Sequence, residues 1–466
     1  MEVEVDVKGK PKQYSVQEES LVITGKFYIH SSKTRVLILP ISVNKQAQRI
    51  PLYNVISAVF DKDSKSLELK YAARKKKLLA FVEEKGHVKS SEDGAAEFCT
   101  TLMEKAYDGV KRNRRLKVLV NPNGGVVRIS NHKIRNKYSY TKGNGDAHKI
   151  AKNLPLDEFD ALLTVSGDGL VHEVLNGFGK HAKPRKALAI PVAPIPAGSG
   201  NGLSLNLLGI EDGFNPVAAA LNAVKGKPMS IDVFTITQNG QTSLSFMSQA
   251  LGLMADLDLG TEHLRWMGDS RFIYGFLRGL IKFKSCAVEL SYKAAENSKT
   301  KMFDTLKTRR ASTRPEFLPP PDDMEDMELP GPSTHTLILT AGQHWISQHS
   351  SFTLGKVLTS EGTLWLSLSH YLTMASLTYS SRERGHEQTP LRAWTQGPVE
   401  ASTGGMMFNT FKAHAYRVRP LSTKGCLSID GERYPFEEFH VEVIPKLATL
   451  LSPYGCYAAD FEKQKE

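Results

Sequence analysis

Ser166-Gly167-Asp168-Gly169 sets one carboxylate between two glycines, where the apolar run Ala161 to Val165 gives way to a helical pattern of Leu170, Val171, Val174, Leu175 and Phe178. Glycines let a backbone approach a ligand closely. The N–H groups at a helix start have no partner within the helix and favour phosphate. A carboxylate in such a turn can cap a helix, or it can take a proton from a hydroxyl that attacks phosphorus. Three further polar patches belong to the same stretch: Asn121-Pro122-Asn123-Gly124-Gly125, Thr141-Lys142-Gly143-Asn144-Gly145 and Pro196-Ala197-Gly198-Ser199-Gly200-Asn201-Gly202. None is a Walker A loop or a dinucleotide G-x-G-x-x-G fingerprint. Backbone N–H groups from several loops can together cradle a triphosphate. Phosphoryl transfer also needs a metal, cationic clamps and a base. The chain offers Asp168 as base, Asp430 or Glu432 for metal or nucleotide, and Arg265 and Arg271 as clamps.

The elements that must position these groups follow from periodicity. Leu116 to Val120 is a continuous apolar strand, as in a parallel sheet covered on both faces. Leu188 to Ile195 reads as a third strand interrupted by proline. Asn215-Pro216 signals a helix start, and Gly226 a stop. Strand, glycine turn and helix recur, the pattern of an α/β doubly wound nucleotide-binding domain over 111–228, with its ligand crevice at the strand C-ends. Upstream, 14–110 alternates as short strands (Leu21 to Ile29, Arg35 to Ile41, Val55 to Phe60, Leu67 to Tyr71, Leu78 to Val82) closed by a helix through Ala95, Phe98, Leu102 and Ala106. That order resembles a pleckstrin-homology-like (PH-like) β module. Downstream, 229–460 reads as an antiparallel β-rich domain, with runs at Met229 to Ile236, Ser243 to Gly252, Ala287 to Tyr292, Leu337 to Thr340, Ala415 to Val418, Cys426 to Ile429 and Phe439 to Ile444. Within it 297–334, rich in Lys, Ser, Pro and Asp, reads as a disordered insertion. The fold class is α/β + β.

The 466 residues carry a net charge of +11 and are 41% hydrophobic. That balance suits packed cores and anionic partners: nucleotide phosphates or an acidic membrane surface. No basic stripe with interleaved aromatics occurs, which ranks nucleic acid last. The four cysteines are scattered without metal spacing, as expected in a reducing compartment. No signal-peptide pattern opens the chain, and no stretch of 18 apolar residues occurs. The expectation is a cytoplasmic protein, peripheral on membranes.

The turns look like those of the diacylglycerol kinase catalytic superfamily, and the details resemble sphingosine (sphingoid long-chain base) kinases of the fungal type. The matching residues are Val120 to Gly125, Ser166-Gly-Asp-Gly-Leu-Val-His-Glu-Val-Leu-Asn-Gly177, Pro196 to Asn201, Gly252-Leu-Met-Ala-Asp-Leu-Asp258, Arg265-Trp-Met-Gly-Asp-Ser-Arg-Phe272 and Ile429-Asp-Gly-Glu432. The resemblance implies a C-terminal lipid-binding domain and an ATP-dependent kinase acting on the primary hydroxyl of a sphingoid base. Asp168 would take the hydroxyl proton. Ser166, Gly167, Asp168 and Gly169 would meet the reacting end of the lipid, and Asp258 its amino-alcohol headgroup. Asn121, Pro122, Asn123, Thr141, Lys142, Gly143, Asn144, Gly145, Glu173, Gly198, Ser199 and Gly200 would surround ATP. Arg265 and Arg271 would hold its phosphates. Asp430, Gly431 and Glu432 would complete the nucleotide–magnesium end, with Asp430 the candidate Mg2+ ligand. Residues 345–402 depart from the family pattern. The alternatives are a ceramide or diacylglycerol kinase, or a catalytically impaired lipid-sensing homologue. A helix over 272–285, apolar with a basic edge, either docks on a membrane or a calmodulin-like protein or packs over the lipid pocket.

Overall fold

The computed structural model describes residues 1–25, 47–76, 78–122, 138–267, 270–281, 288–296, 344–345, 350–355, 364–371 and 406–458. They form two compact units, Met1–Arg114 with Asn215–Gly226, and Arg115–Phe214 with Lys227–Glu466.

The first unit is an antiparallel sheet with one helix against its inner face. Its strands are β1 (Glu2–Val7), β2 (Lys10–Val16), β3 (Ser20–Gly25), β4 (Gln48–Pro51), β5 (Val55–Asp61), β6 (Ser66–Lys75) and β7 (Leu78–Val88), in the order β4-β3-β2-β1-β7-β6-β5. β1 and the start of β2 lie upstream of residue 14, and Val3 and Val5 supply the alternating buried side chains. α1 (Glu92–Ala106) starts where the Ser91 side chain accepts the Gly94 N–H. It buries Ala95, Phe98, Leu102 and Ala106 in one core with Val5, Tyr14 and Leu69. The strand expected at Arg35 to Ile41 lies outside the described residues.

The first unit also holds the helix Pro216–Lys225. Asn215 caps it through Val217 N and Ala218 N, and donates to the Leu79 carbonyl. At the other end Arg114 donates to the carbonyls of Ala223 and Gly226, a cation meeting the negative pole of the helix. Between them Lys225 is 1% exposed, its Nζ 2.8 Å from Leu52 O and 2.9 Å from Val55 O, over the rings of Tyr53 and Tyr107. Two carbonyls and two ring faces recover part of the hydration that the ammonium gives up.

The second unit alternates strands and helices before turning to β-structure. Its first elements are β8 (Leu116–Val120), β9 (Tyr138–Tyr140), α2 (Asp146–Lys152), β10 (Ala161–Ser166), α3 (Asp168–Gly179), α4 (Pro184–Leu188), β11 (Val192–Pro196) and α5 (Gly202–Asp212). After α6, the helix Pro216–Lys225 already placed in the first unit, come β12 (Lys227–Gln238), β13 (Gln241–Ser245), β14 (Ser248–Leu251), α7 (Leu253–Gly260) and α8 (Ser270–Ile281). The remainder is β15 (Val288–Glu296), β16 (His344–Trp345), β17 (Ser350–Gly355), β18 (Leu364–Tyr371), β19 (Met406–Pro420), β20 (Leu427–Ile429), β21 (Glu432–Tyr434) and β22 (Phe439–Ser452). β9, β8, β10 and β11 run parallel, which brings the ends of β8, β10 and β11 to one edge. β22 pairs β11 in parallel at Leu450 and runs antiparallel to β12 and β19. The nucleotide-type and β-rich regions of the sequence therefore share one sheet, and one core reaches from Leu119 and Phe178 to Leu450.

Two sequence expectations change in detail. Leu188 is the last residue of α4, because Pro184 starts a helix there, and the strand begins only at Val192. The run Ser243 to Gly252 is two strands, because residues 245–248 wrap a buried carboxylate described below. Residues 297–334 and 337–340 lie outside the described residues.

Burial pushes the Lys225 ammonium down to about 7. Its unfolded value is about 10.4. Between these limits the unfolded chain binds the extra proton, so the stability of the first unit gains from this group as pH rises from about 7 to 10 and loses the gain as pH falls back through 7. Hydrogen exchange of β5 and α6 amides across that range should show the slope in the wild type and a flatter one in Lys225→Met.

Candidate active site

Register puts the strand ends Val120, Ser166 and Pro196 side by side. The turns that leave them are packed backbone to backbone. Ala197 N donates to Ser166 O, and Asp168 N to Gly200 O. A Cβ on Gly198 would lie 2.3 Å from Gly167 N, and one on Gly167 would lie 2.5 Å from Gly200 O. Neither place admits a side chain. The second turn is closed on itself, with Asn201 Oδ1 accepting the Gly198 N–H while Asn201 Nδ2 donates to Gly198 O.

Asp168 is the first residue of α3 and is 8% exposed. Its Oδ2 accepts the Gly202 N–H at 2.7 Å and its Oδ1 the Leu203 N–H at 3.1 Å. The carboxylate therefore caps α5 while standing at the start of α3, and both helix N-termini meet at this point. A carboxylate offers roughly four acceptor sites, and α5 takes two of them. A Cβ on Gly169 would lie 2.7 Å from Glu432 Oε1, which places that second carboxylate against the same turn. By contrast, a Cβ on Gly143, Gly145 or Gly200 would meet nothing within 4 Å. Among the described residues no atom requires glycine at Gly143 or Gly200, and both leave the backbone open to close approach.

The Thr141–Gly145 loop is held from two sides. Glu173, on α3, accepts the N–H groups of Gly145 and Ala147 with one oxygen, at 3.0 and 3.1 Å. Gly145 has φ 84, in the left-handed region, and Asp146 accepts the Lys142 N–H. Thr141 is buried against Val120 O, whereas Lys142, Gly143 and Asn144 are exposed. Asn121 donates its N–H to Val165 O, and Pro122 is exposed. Ser199 is half-buried, Ser166 buried.

Asp430, expected at the nucleotide–magnesium end, is enclosed by protein groups. Its side chain has no exposure. Oδ1 accepts from Ser245 Oγ (2.8 Å), Met247 N (2.9 Å) and Ser248 N (2.8 Å). Oδ2 accepts from Phe246 N at 3.0 Å and lies 2.9 Å from His172 Nδ1. Burial alone would raise the Asp430 carboxyl, but the hydrogen bond and charge of His172, with the backbone N–H groups, outweigh it and hold the carboxyl below its usual value. A carboxylate so enclosed does not fit the part of a magnesium ligand. Among the described residues no group of three His, Cys, Asp or Glu side chains could hold a metal ion.

Two residues on α3 to which the motif gave no role join this network. His172 Nε2 lies 3.2 Å from Tyr434 Oη. Asn176 accepts the Leu244 N–H and donates to Leu244 O, which fixes β13 to the helix. The available signal was spacing: Asp168, His172 and Asn176 stand at i, i+4 and i+8, a polar stripe along one side of the helix. Gln249 and Tyr416, both buried, extend the chain of hydrogen bonds to Ser245. No sequence pattern announced them.

Asn123 and the side chains of Asp258 and Arg265 lie outside the described residues. The backbone of Asp258 is in α7, and Arg265 follows it in a short 3-10 turn. Arg271 is 4% exposed and donates to Thr261 O at 3.4 Å.

The glycine geometry separates two kinds of substitution. Gly198→Ala should destabilise the fold by about 1–3 kcal/mol, the usual cost of forced overpacking. Gly200→Ala should leave the melting temperature within about 2 °C and raise the Michaelis constant for nucleotide. Thermal melts and steady-state kinetics of both variants check the distinction.

Residues 115–236 match the family described as Diacylglycerol kinase catalytic domain. Residues 6–108 match a family described as Domain of unknown function (DUF7493). "Sphingoid long chain base kinase 4" of Schizosaccharomyces pombe is 31% identical over 456 residues, covering 91% of this chain and 92% of its own length. "Sphingoid long chain base kinase 5" of Saccharomyces cerevisiae is 30% identical, over 49% of this chain and 35% of its own. "Sphingosine kinase 2" of Homo sapiens is 32% identical, over 40% and 32%. The catalytic-domain match and the architecture make this a diacylglycerol-kinase-like fold of mixed sheets and helices. With nearly the whole length of the fission-yeast kinase matched, the chain belongs to the sphingoid long-chain base kinase family.

Proposed function

We infer that the chain is an ATP-dependent lipid kinase that phosphorylates the primary hydroxyl of a sphingoid base. The observation that carries this reading is the junction at Asp168, where two helix N-termini and a second carboxylate, Glu432, converge beside backbone at Gly200 that has room for a ligand. Helix N-termini suit the triphosphate. Asp168 accepts the hydroxyl proton as the lipid oxygen bonds to the γ-phosphorus, the bond from that phosphorus to ADP breaks, and ADP leaves. Magnesium, when bound with ATP, neutralises charge on the phosphates. Asp430 is left to positioning, since its enclosure keeps it from the ligand.

Glu173 and Asp146 serve the nucleotide by holding the 141–145 loop, whose exposed backbone faces outward. Arg265 and Arg271 remain the proposed phosphate clamps, and Asp258 the acceptor for a protonated amine, which a diglyceride lacks. The functional division is 14–110, 111–228 and 229–460, with the last as the lipid-binding part. For the first, an antiparallel sheet closed by a helix supports the reading as a PH-like module.

Peripheral membrane contact has support of its own. On α8, Ile273, Tyr274 and Leu277 are about half exposed, with Arg278 exposed beside them. An apolar helix face with a basic edge suits the headgroup boundary of an acidic bilayer. No helix among the described residues is long and apolar enough to cross one.

Two measurements test these readings. In mixed micelles the wild type should phosphorylate sphingosine, with diacylglycerol and ceramide much poorer, and Asp168→Asn should lose about 10²–10⁴-fold in turnover. A variant that keeps its rate, or a preference for diacylglycerol, sinks the assignment. The double variant Ile273→Gln, Leu277→Gln should bind acidic vesicles several-fold more weakly at unchanged micellar kcat. Unchanged sedimentation with vesicles, and binding of a calmodulin-like protein instead, would move this surface to a protein partner.

A further inference from the structure

Asp430 and Gly431 both lie in the left-handed region, at φ 51 and φ 85. They form the two-residue Asp-Gly turn of the β20–β21 hairpin, in which Ile429 faces Glu432, and such a turn takes φ > 0 at both positions. Glu432 follows directly and lies against Gly169, one residue from Asp168. The donors that fix the Asp430 carboxylate therefore fix the aim of Glu432. Four of them come from residues 245–248. The fifth contact, His172 Nδ1, comes from α3, one helical turn after Asp168. Residues 245–248 return to the same point, since Met247 Sδ lies 3.4 Å from where a Cβ on Gly202 would stand, beside the Asp168 carboxylate.

The neighbours of His172 fix which ring atom faces Asp430. Asn176 is locked by its reciprocal pair with the Leu244 backbone, so its amide cannot turn over without losing both bonds. Its two N–H groups go to Leu244 O at 2.8 Å and to His172 O at 2.9 Å, so the amide also fixes the His172 backbone on α3. A ring nitrogen 2.9 Å from a carboxylate oxygen carries the proton between them. Nδ1 is therefore the donor, and Asp430 Oδ2 accepts from it.

We propose that His172 is a positioning residue of the phosphoryl-transfer site: through its Nδ1–H it ties α3 to Asp430, and through the Asp430-Gly431 turn it sets the Glu432 carboxylate against the Asp168 turn. This rests on the kinase reading above. The role belongs to one ring atom, which gives a direct test. Asparagine places an N–H near the position of Nδ1, whereas glutamine places one near Nε2.

The experiment measures wild type, His172→Asn, His172→Gln and Tyr434→Phe with ATP and sphingosine, alongside thermal melts. Wild-type turnover with sphingosine tests the underlying reading by itself; without it that reading fails, whatever the variants do. Given turnover, His172→Asn should keep kcat within about threefold, and His172→Gln should lose roughly tenfold or more, the scale of one hydrogen bond to a charged group. Both Michaelis constants should stay within about twofold, because positioning acts on the reacting geometry rather than on binding. Tyr434→Phe, which leaves the Asp430 contact in place, should match wild type. Equal losses in the asparagine and glutamine variants, or no loss in either, overturn the proposal. So does a change confined to the Michaelis constants. If both variants lose the folded state, His172 is a packing residue and the proposal falls.

Discussion

The arrangement depends first on a steric constraint: two backbones occupy space that one extra carbon would close. Gly167 and Gly198 touch along their main chains, and only that contact lets the turns after β10 and β11 share a hydrogen bond from Asp168 N to Gly200 O. Once the turns are joined, the starts of α3 and α5 face one carboxylate. Asp168 then answers to two helices, and its direction is set before any ligand arrives. The same closeness brings Glu432, from a strand turn more than 260 residues downstream, against Gly169.

An electrostatic constraint follows from it. A carboxylate removed from water needs donors on every side, and Asp430 takes them from a turn that would otherwise have continued as a strand. The break between β13 and β14 is a result of that demand. So is the burial of His172, whose ring would have little reason to leave solvent without an anion to meet.

Local pattern carried much of this fold. The apolar runs at Leu116 to Val120 and Ala161 to Val165, the Asn215-Pro216 cap and the alternation of Val55 to Phe60 state their structure within a few residues. The candidate site was legible where its chemistry depends on glycine or on consecutive residues, as at 166–169 and 198–201. It was not legible where partners are distant in sequence. Nothing near Asp430 in the chain says that it will be enclosed, because its donors lie about 180 residues upstream. Glu173 reads as a nucleotide contact from the motif, yet the oxygen described here serves two N–H groups at the start of α2. The boundary between the α/β and β-rich regions also dissolves for a long-range reason: β22, near the end of the chain, pairs with β11 and draws both regions into one sheet.

The helix Pro216–Lys225 has a consequence for how the chain is made. It completes the first unit, yet it is encoded after most of the strand–helix repeats of the second. On a ribosome, Met1 to Arg114 emerges without the residues that cover Leu52 O and Val55 O. About 110 more residues must follow, which at roughly 5–20 residues per second takes on the order of ten seconds. Through that interval the N-terminal strands wait with an open flank while the first strands and helices of the second unit follow them. Folding of this protein cannot run simply from the N-terminus onward. A cut after Arg114 would yield neither unit whole, because one piece would lack its last helix and the other would carry a buried lysine with nowhere to be buried.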